Sequence, residues 1–203
     1  MPHDEALSPR ESFWRLARSP SYVTYPLCFA VVGGASFSIP AVQDLILSDC
    51  SDQALAHSAT KWTNLTVILS GVAGGVLLGT FAREERHYRQ AVAACFVAAA
   101  LALVGLAVLT VPAVLRALSS DTLFALLVPL MAVAGVGSIG FVSLGLRIAV
   151  QVAEPVSEVY SGGVVEWWIQ MSGVVFTQLS TCSIGFTATA AGTVASAVVM
   201  LCT

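Results

Sequence analysis

The chain has 203 residues, of which 57% are apolar and 10% charged, with a formal net charge of -3 and a mean hydropathy of +0.84. A soluble domain carries about 25% charged residues, so this sequence cannot clothe a water-facing surface, and neither a soluble enzyme nor a disulfide-stapled secreted fold is expected. The negative balance offers no basic footprint for phosphates, which argues against a nucleic-acid partner; the lipid bilayer is the expected surroundings.

Residues 1–22 read as a cytoplasmic tail. Mixed charges over about two dozen residues are unlike the short basic region of a cleaved signal peptide, so the tail is expected to stay on the protein. Ser8, Pro9 and Glu11 have a capping-box layout, with Ser8 as N-cap, Pro9 at N1 and Glu11 at N3. Phe13, Trp14, Leu16 and Ala17 then alternate with Arg15 and Arg18 before Pro20. That pattern predicts a short interfacial helix, rings toward lipid and arginines toward phosphates; a disordered tail is the alternative.

Residues 23–203 read as a bundle of six transmembrane helices, an all-α membrane protein. The apolar runs cover about Leu27 to Leu47, Thr63 to Ala82, Ala91 to Leu115, Leu123 to Val150, Gly162 to Thr181 and Ile184 to Cys202. Each is close to the roughly 20 residues that cross about 30 Å of hydrocarbon. Helices are forced by the medium, since every backbone N–H and C=O in lipid must be paired within its own segment, and no run alternates like a barrel strand. With six crossings, seven basic residues (Arg10, Arg15, Arg18, Arg83, Arg86, Arg89, Arg147) share the side of the N-terminus and two (Lys61, Arg116) the other. The positive-inside rule then puts both termini in the cytoplasm. Asp49 and Asp52 fall in the first outer loop, and Trp62 stands where an interfacial anchor belongs.

The five cysteines, Cys28, Cys50, Cys95, Cys182 and Cys202, are scattered without a C-x-x-C pair, so neither a metal site nor a disulfide framework is expected. No cofactor is implied. Asn64-Leu65-Thr66 matches a glycosylation sequon but lies at the mouth of a span, where the membrane obstructs modification. Gly71, Gly75 and Gly79 recur every four residues on one helix face, a small-xxx-small surface for close packing, within the bundle or in a dimer contact. Gly135-Val136-Gly137-Ser138-Ile139-Gly140 formally matches G-x-G-x-x-G, but no strand precedes it, and a flexible or closely packed stretch of the fourth span fits better than a dinucleotide site.

Ionisable groups inside a bilayer are the strongest pointers to function, because a charge near mid-helix costs about 2.5–3.5 kcal/mol on insertion scales. Asp44 lies near the outer end of span one, Arg147 near the inner end of span four and Glu166 about one turn into span five. Arg147 and Glu166 have opposite signs and either form a gate ion pair or snorkel separately to the interface. Gln170, four residues after Glu166, shares its helix face, and Trp167 offers an aromatic surface to a cation. No serine, histidine and acid fall together, and His3, His57 and His87 lie in tails or loops, so no catalytic residues are assigned.

The stretch from Gly140 to Glu158, with Leu144-Gly145-Leu146-Arg147 and Pro155-Val156-Ser157-Glu158, followed by Ser161-Gly162-Gly163, resembles the tenth-span, loop and eleventh-span signature of the feline leukaemia virus subgroup C receptor family of major facilitator superfamily transporters. Ser12-Phe13-Trp14 through Pro20-Ser21-Tyr22 resembles the lead-in to that family's seventh span, and Gly34-Ala35-Ser36-Phe37-Ser38 the G-A-F-Y-S within it. The resemblance implies the C-terminal six-helix half of a twelve-helix transporter moving small organic solutes such as choline, ethanolamine or haem. It places Gln170 on a substrate-facing glutamine and Phe37 on or near a cavity tyrosine. The chain departs from the family with Arg147 and Gln151 in place of glutamates and Glu166 in place of an asparagine, as a relocated ion pair would look.

Two classes of function follow. In the first, a transporter half or truncated transporter carries a small organic cation or haem-related metabolite, binding it with Gln170, Phe37, Trp167 and Glu166 and pairing with a second six-helix half or a second copy. In the second, a non-transporting scaffold or accessory subunit uses the same small residues only to pack.

Overall fold

The computed structural model describes residues 9–48, 53–81, 85–154 and 156–202; Ser8, Asp49, Cys50, Asp52 and Arg83 lie outside them. The described residues form helices and no strand. In chain order they are α1 (Pro9–Arg18), α2 (Pro20–Ser48), α3 (Gln53–Phe81), α4 (Glu85–Leu109), α5 (Pro112–Ala117), α6 (Ser120–Ser138), α7 (Val142–Ala153), α8 (Glu158–Leu179) and α9 (Ser183–Cys202). Five stretches are long and apolar enough to cross a membrane: Tyr22–Asp44, Ala59–Thr80, His87–Leu109, Ser120–Ala153 and Ile184–Cys202. The remaining expected crossing is α8, which has the length of a span at 22 residues but carries Glu158, Glu166 and Gln170.

Helix ends follow local chemistry. Ser119 caps α6 by accepting from the Thr122 N–H at 3.3 Å, and Ser157 caps α8 by accepting from the Tyr160 N–H at 3.4 Å, each satisfying an otherwise unpaired first-turn donor. The third apolar run stops being one helix at Leu109: Pro112 opens the separate short α5 at its first turn, where its missing N–H costs nothing. Hydroxyls inside the spans return to the preceding turn, as Thr63 does to the Ala59 carbonyl at 2.7 Å and Thr193 to that of Thr189 at 3.1 Å, which satisfies donors that lipid could not.

The fourth run is likewise not continuous. Between α6 and α7 the chain turns at Ile139–Phe141, and the Gly140 N–H reaches back to the carbonyls of both Gly135 and Val136, at 3.3 and 3.1 Å. The glycine cluster accounts for the site of the break, because α6 is squeezed there between two helices. A Cβ on Gly135 would run into the Val67 carbonyl and Ser70 of α3, and one on Gly137 would lie 2.5 Å from the Ala99 nitrogen of α4.

Two parallel helix pairs organise the bundle. Contacts climb in step from Tyr22 with Ser161 through Gly33 with Ile169 to Phe37 with Thr177, so α2 and α8 run the same way. The pairings of Val67 with Gly135, Gly74 with Val136 and Gly75 with Gly140 align α3 with α6. Small residues let these backbones approach where hydrophobicity alone drives no association. Phe29, Phe96 and Phe141 meet at the α6–α7 break with ring centroids 5.0 to 5.9 Å apart, and a second buried cluster gathers Ile39, Ile46, Leu103, Leu127, Met131 and Phe186. Outward, α3 presents Ile68, Leu69, Val72, Val76 and Leu77, which suits acyl chains.

Helix α1 forms as the alternation predicts, with Leu16 buried in the core and Trp14 exposed. Leu16 therefore packs on the bundle, and α2 starts at Pro20, two residues before the end of the segment read as a tail.

Candidate functional site

Two of the three charged residues singled out in the sequence, Arg147 and Glu166, meet where α4, α7 and α8 come together, whereas Asp44 stands exposed on α2. Leu146 of α7 reaches to 4.0 Å of where a Cβ on Gly162 would stand, and a Cβ on Gly163 would meet nothing within 4 Å. Bare backbone on α8 thus leaves room for a cleft of about 800 Å³. Tyr88 of α4, Arg147 and Gln151 of α7, and Glu158, Gly162, Gly163 and Glu166 of α8 contribute to its lining.

Arg147 and Glu166 line this one cleft, but each is held by another partner. The Arg147 Nη1 donates to the Tyr88 hydroxyl at 3.2 Å, and its guanidinium carbon lies 5.8 Å from the Tyr88 ring centroid, so one tyrosine supplies both a hydrogen bond and a cation–π contact. Glu166 accepts from the Gln170 amide at 2.9 Å, the pairing expected of residues four apart on one helix face. The anticipated ion pair between Arg147 and Glu166 is absent from this arrangement, since these nearer groups have claimed both side chains.

The remaining sequence-predicted site residues spread along α8. Trp167 is 56% exposed and belongs to a neighbouring cleft of about 700 Å³ with Tyr160 and Trp168. The Trp167 and Trp168 rings are T-shaped, their centroids 5.4 Å apart. Val159 and Gly163 border both clefts. Phe37 lies farther along: its ring covers Gly173 and its carbonyl accepts from the Thr177 hydroxyl at 3.1 Å. Gly173 is seven residues beyond Glu166, or roughly 10 Å of helix rise, so Phe37 does not share the charged cleft.

The glycine stripe of α3 faces the α6–α7 break for part of its length. A Cβ on Gly71 would lie 2.8 Å from the Ile139 Cβ, one on Gly75 3.5 Å from the Gly140 oxygen, and one on Gly79 would meet nothing within 4 Å. Gly71 and Gly75 are therefore packed against the fourth crossing, and Gly79 is open.

Several polar groups of the site were missed from the sequence. Tyr88 stands in the charged lead-in to the third run, and Gln151 and Glu158 stand out in the sequence only through the family resemblance. Gln43 carries no sequence signal at all. It is fully buried in α2, and both its amide atoms lack a partner.

No family model matches this sequence. The chain is similar to the choline/ethanolamine transporter FLVCR1 of Mus terricolor, with 25% identity over 178 residues covering 85% of this chain and 29% of that protein. It is similar to the same transporter of Mus musculus at 24% identity over 179 residues, with the same coverage. The chain thus spans less than a third of the length of the curated relatives it matches. It is a multi-pass integral membrane protein with distant similarity to these transporters.

Proposed function

We propose that this chain supplies one wall of a solute pathway in a membrane transporter, and that the solute is a small organic molecule bearing an ammonium group. The observation that carries the reading is the Glu166 carboxylate, held by Gln170 on the wall of a roomy cleft, with the exposed faces of Trp167 and Trp168 on the same helix. A carboxylate beside aromatic surface is the chemistry that receives an organic cation. The relatives' names, which specify choline and ethanolamine, support that class ahead of a haem-related metabolite. A second helical unit, from another copy or a longer chain, would supply the facing wall. Both termini are placed in the cytoplasm, on the charge asymmetry of the loops. Arg147 and Glu166, on opposite walls of the cleft, would close on each other when it narrows.

The test is uptake of radiolabelled choline by proteoliposomes holding the purified chain, beside Gln170→Ala. Saturable uptake that the variant loses supports the reading. A non-transporting accessory subunit is the second reading, favoured by the open form of the cleft, in which Glu158, Glu166 and Gln170 are all exposed. It predicts no uptake from well-folded protein.

A further inference from the structure

We infer that the cleft between α4, α7 and α8 selects a zwitterion, a small solute with an ammonium at one end and an oxyanion at the other. The inference rests on the reading that this cleft receives an ammonium group, and it adds the second pole. Arg147 supplies that pole. A guanidinium stays charged under all ordinary conditions and presents five N–H donors, of which the structure engages one, with a neutral hydroxyl. Tyr88 therefore aims the arginine without neutralising it, and the free edge of the fork is suited to a carboxylate or phosphate. Glu166 is likewise oriented by a neutral amide and keeps its charge available.

The spacing fits a dipolar ligand. Glu158 and Glu166 both border the cleft and are eight residues apart on α8, roughly 12 Å of rise. Leu146, the neighbour of Arg147, packs opposite Gly162, midway between the two carboxylates. Arg147 follows Leu146 on α7 and borders the same cleft as both acids. A purely cationic solute at Glu166 would share the cleft with an unneutralised arginine, and a purely anionic one at Arg147 would face two carboxylates. One molecule carrying both signs meets each group with its opposite.

Glycine betaine and choline make a matched pair of probes, alike in the trimethylammonium group and differing in carboxylate against hydroxymethyl. Binding of each radiolabelled compound is measured on the purified full chain in detergent, with size exclusion and circular dichroism confirming the fold of every variant. Betaine is expected to bind about five-fold tighter than choline, the fold-change that corresponds to the roughly 1 kcal/mol between unit charges about 4 Å apart in water. Arg147→Gln is expected to reverse the preference by weakening betaine and strengthening choline, Arg147→Lys to restore part of it, and Glu166→Gln to weaken both. Choline binding as tight as betaine in the native protein, or a preference that survives Arg147→Gln, overturns the zwitterion assignment while leaving the ammonium site standing. Failure of both compounds to bind folded protein at roughly 10 mM, far above any useful affinity, overturns both readings.

Discussion

Placing a methyl group on the glycines that face the α6–α7 break probes how closely the helices of this bundle approach. At Gly137 the added Cβ would lie 2.5 Å from the Ala99 nitrogen, 2.8 Å from the Cys95 carbonyl oxygen and 2.9 Å from the Ala99 Cα. All three are backbone atoms of α4, so no side-chain rotation relieves the clash, and α6 must move away by roughly 1 Å, an overpacking that costs about 1–3 kcal/mol. For a chain of this size that is a fall in melting temperature of roughly 2–12 °C. At Gly79 the same methyl meets nothing within 4 Å, and replacing glycine by the best helix former gains up to about 1 kcal/mol. Gly71 and Gly75 fall between, with nearest atoms at 2.8 and 3.5 Å. Thermal unfolding of the four alanine variants in one detergent, followed by tryptophan fluorescence and size exclusion, should therefore rank them Gly137, Gly71, Gly75, Gly79 from least to most stable. A Gly137→Ala protein as stable as the native one, or a Gly79→Ala protein as damaged as Gly71→Ala, would refute the view that close backbone approach at this break holds the bundle together.

Gln43→Leu removes two buried amide atoms that have no partner and is expected to raise stability by about 1–3 kcal/mol, read as a higher melting temperature; a fall would show that the amide is satisfied by an internal water. Phe141→Ala takes one ring out of the aromatic trio at the break and should cost about 3–5 kcal/mol, seen as loss of a monodisperse folded peak in detergent. Tyr88→Phe keeps the ring beneath Arg147 and deletes the 3.2 Å hydrogen bond from a charged donor, so stability should fall by no more than about 3 kcal/mol, and a larger loss would mean that the hydroxyl serves the core as well.

What the sequence reveals of this fold is what the medium and the local helix geometry dictate. Apolar runs become helices because lipid leaves the backbone no other way to satisfy its polar groups, and Glu166 meets Gln170 because residues four apart lie on one face. Gly71 and Gly75 announce a packing face for the same local reason. Relations of longer range are hidden. The fourth run is apolar from Leu123 to Val150, and hydropathy alone cannot register that it breaks at Ile139–Phe141; the glycines marked the place, but the break also needs α3 and α4 pressing from both sides. Arg147 shows the limit most clearly. Its sign and that of Glu166 point to an ion pair, and the fold does bring both to one cleft. The competitor is Tyr88, 59 residues away in sequence, and nothing in the order of residues reveals that α4 delivers it to the arginine. That competition decides the character of the site: an Arg147–Glu166 pair would seal the cleft and cancel its charges, whereas two charges oriented separately by neutral partners leave a polarised space for a ligand to fill.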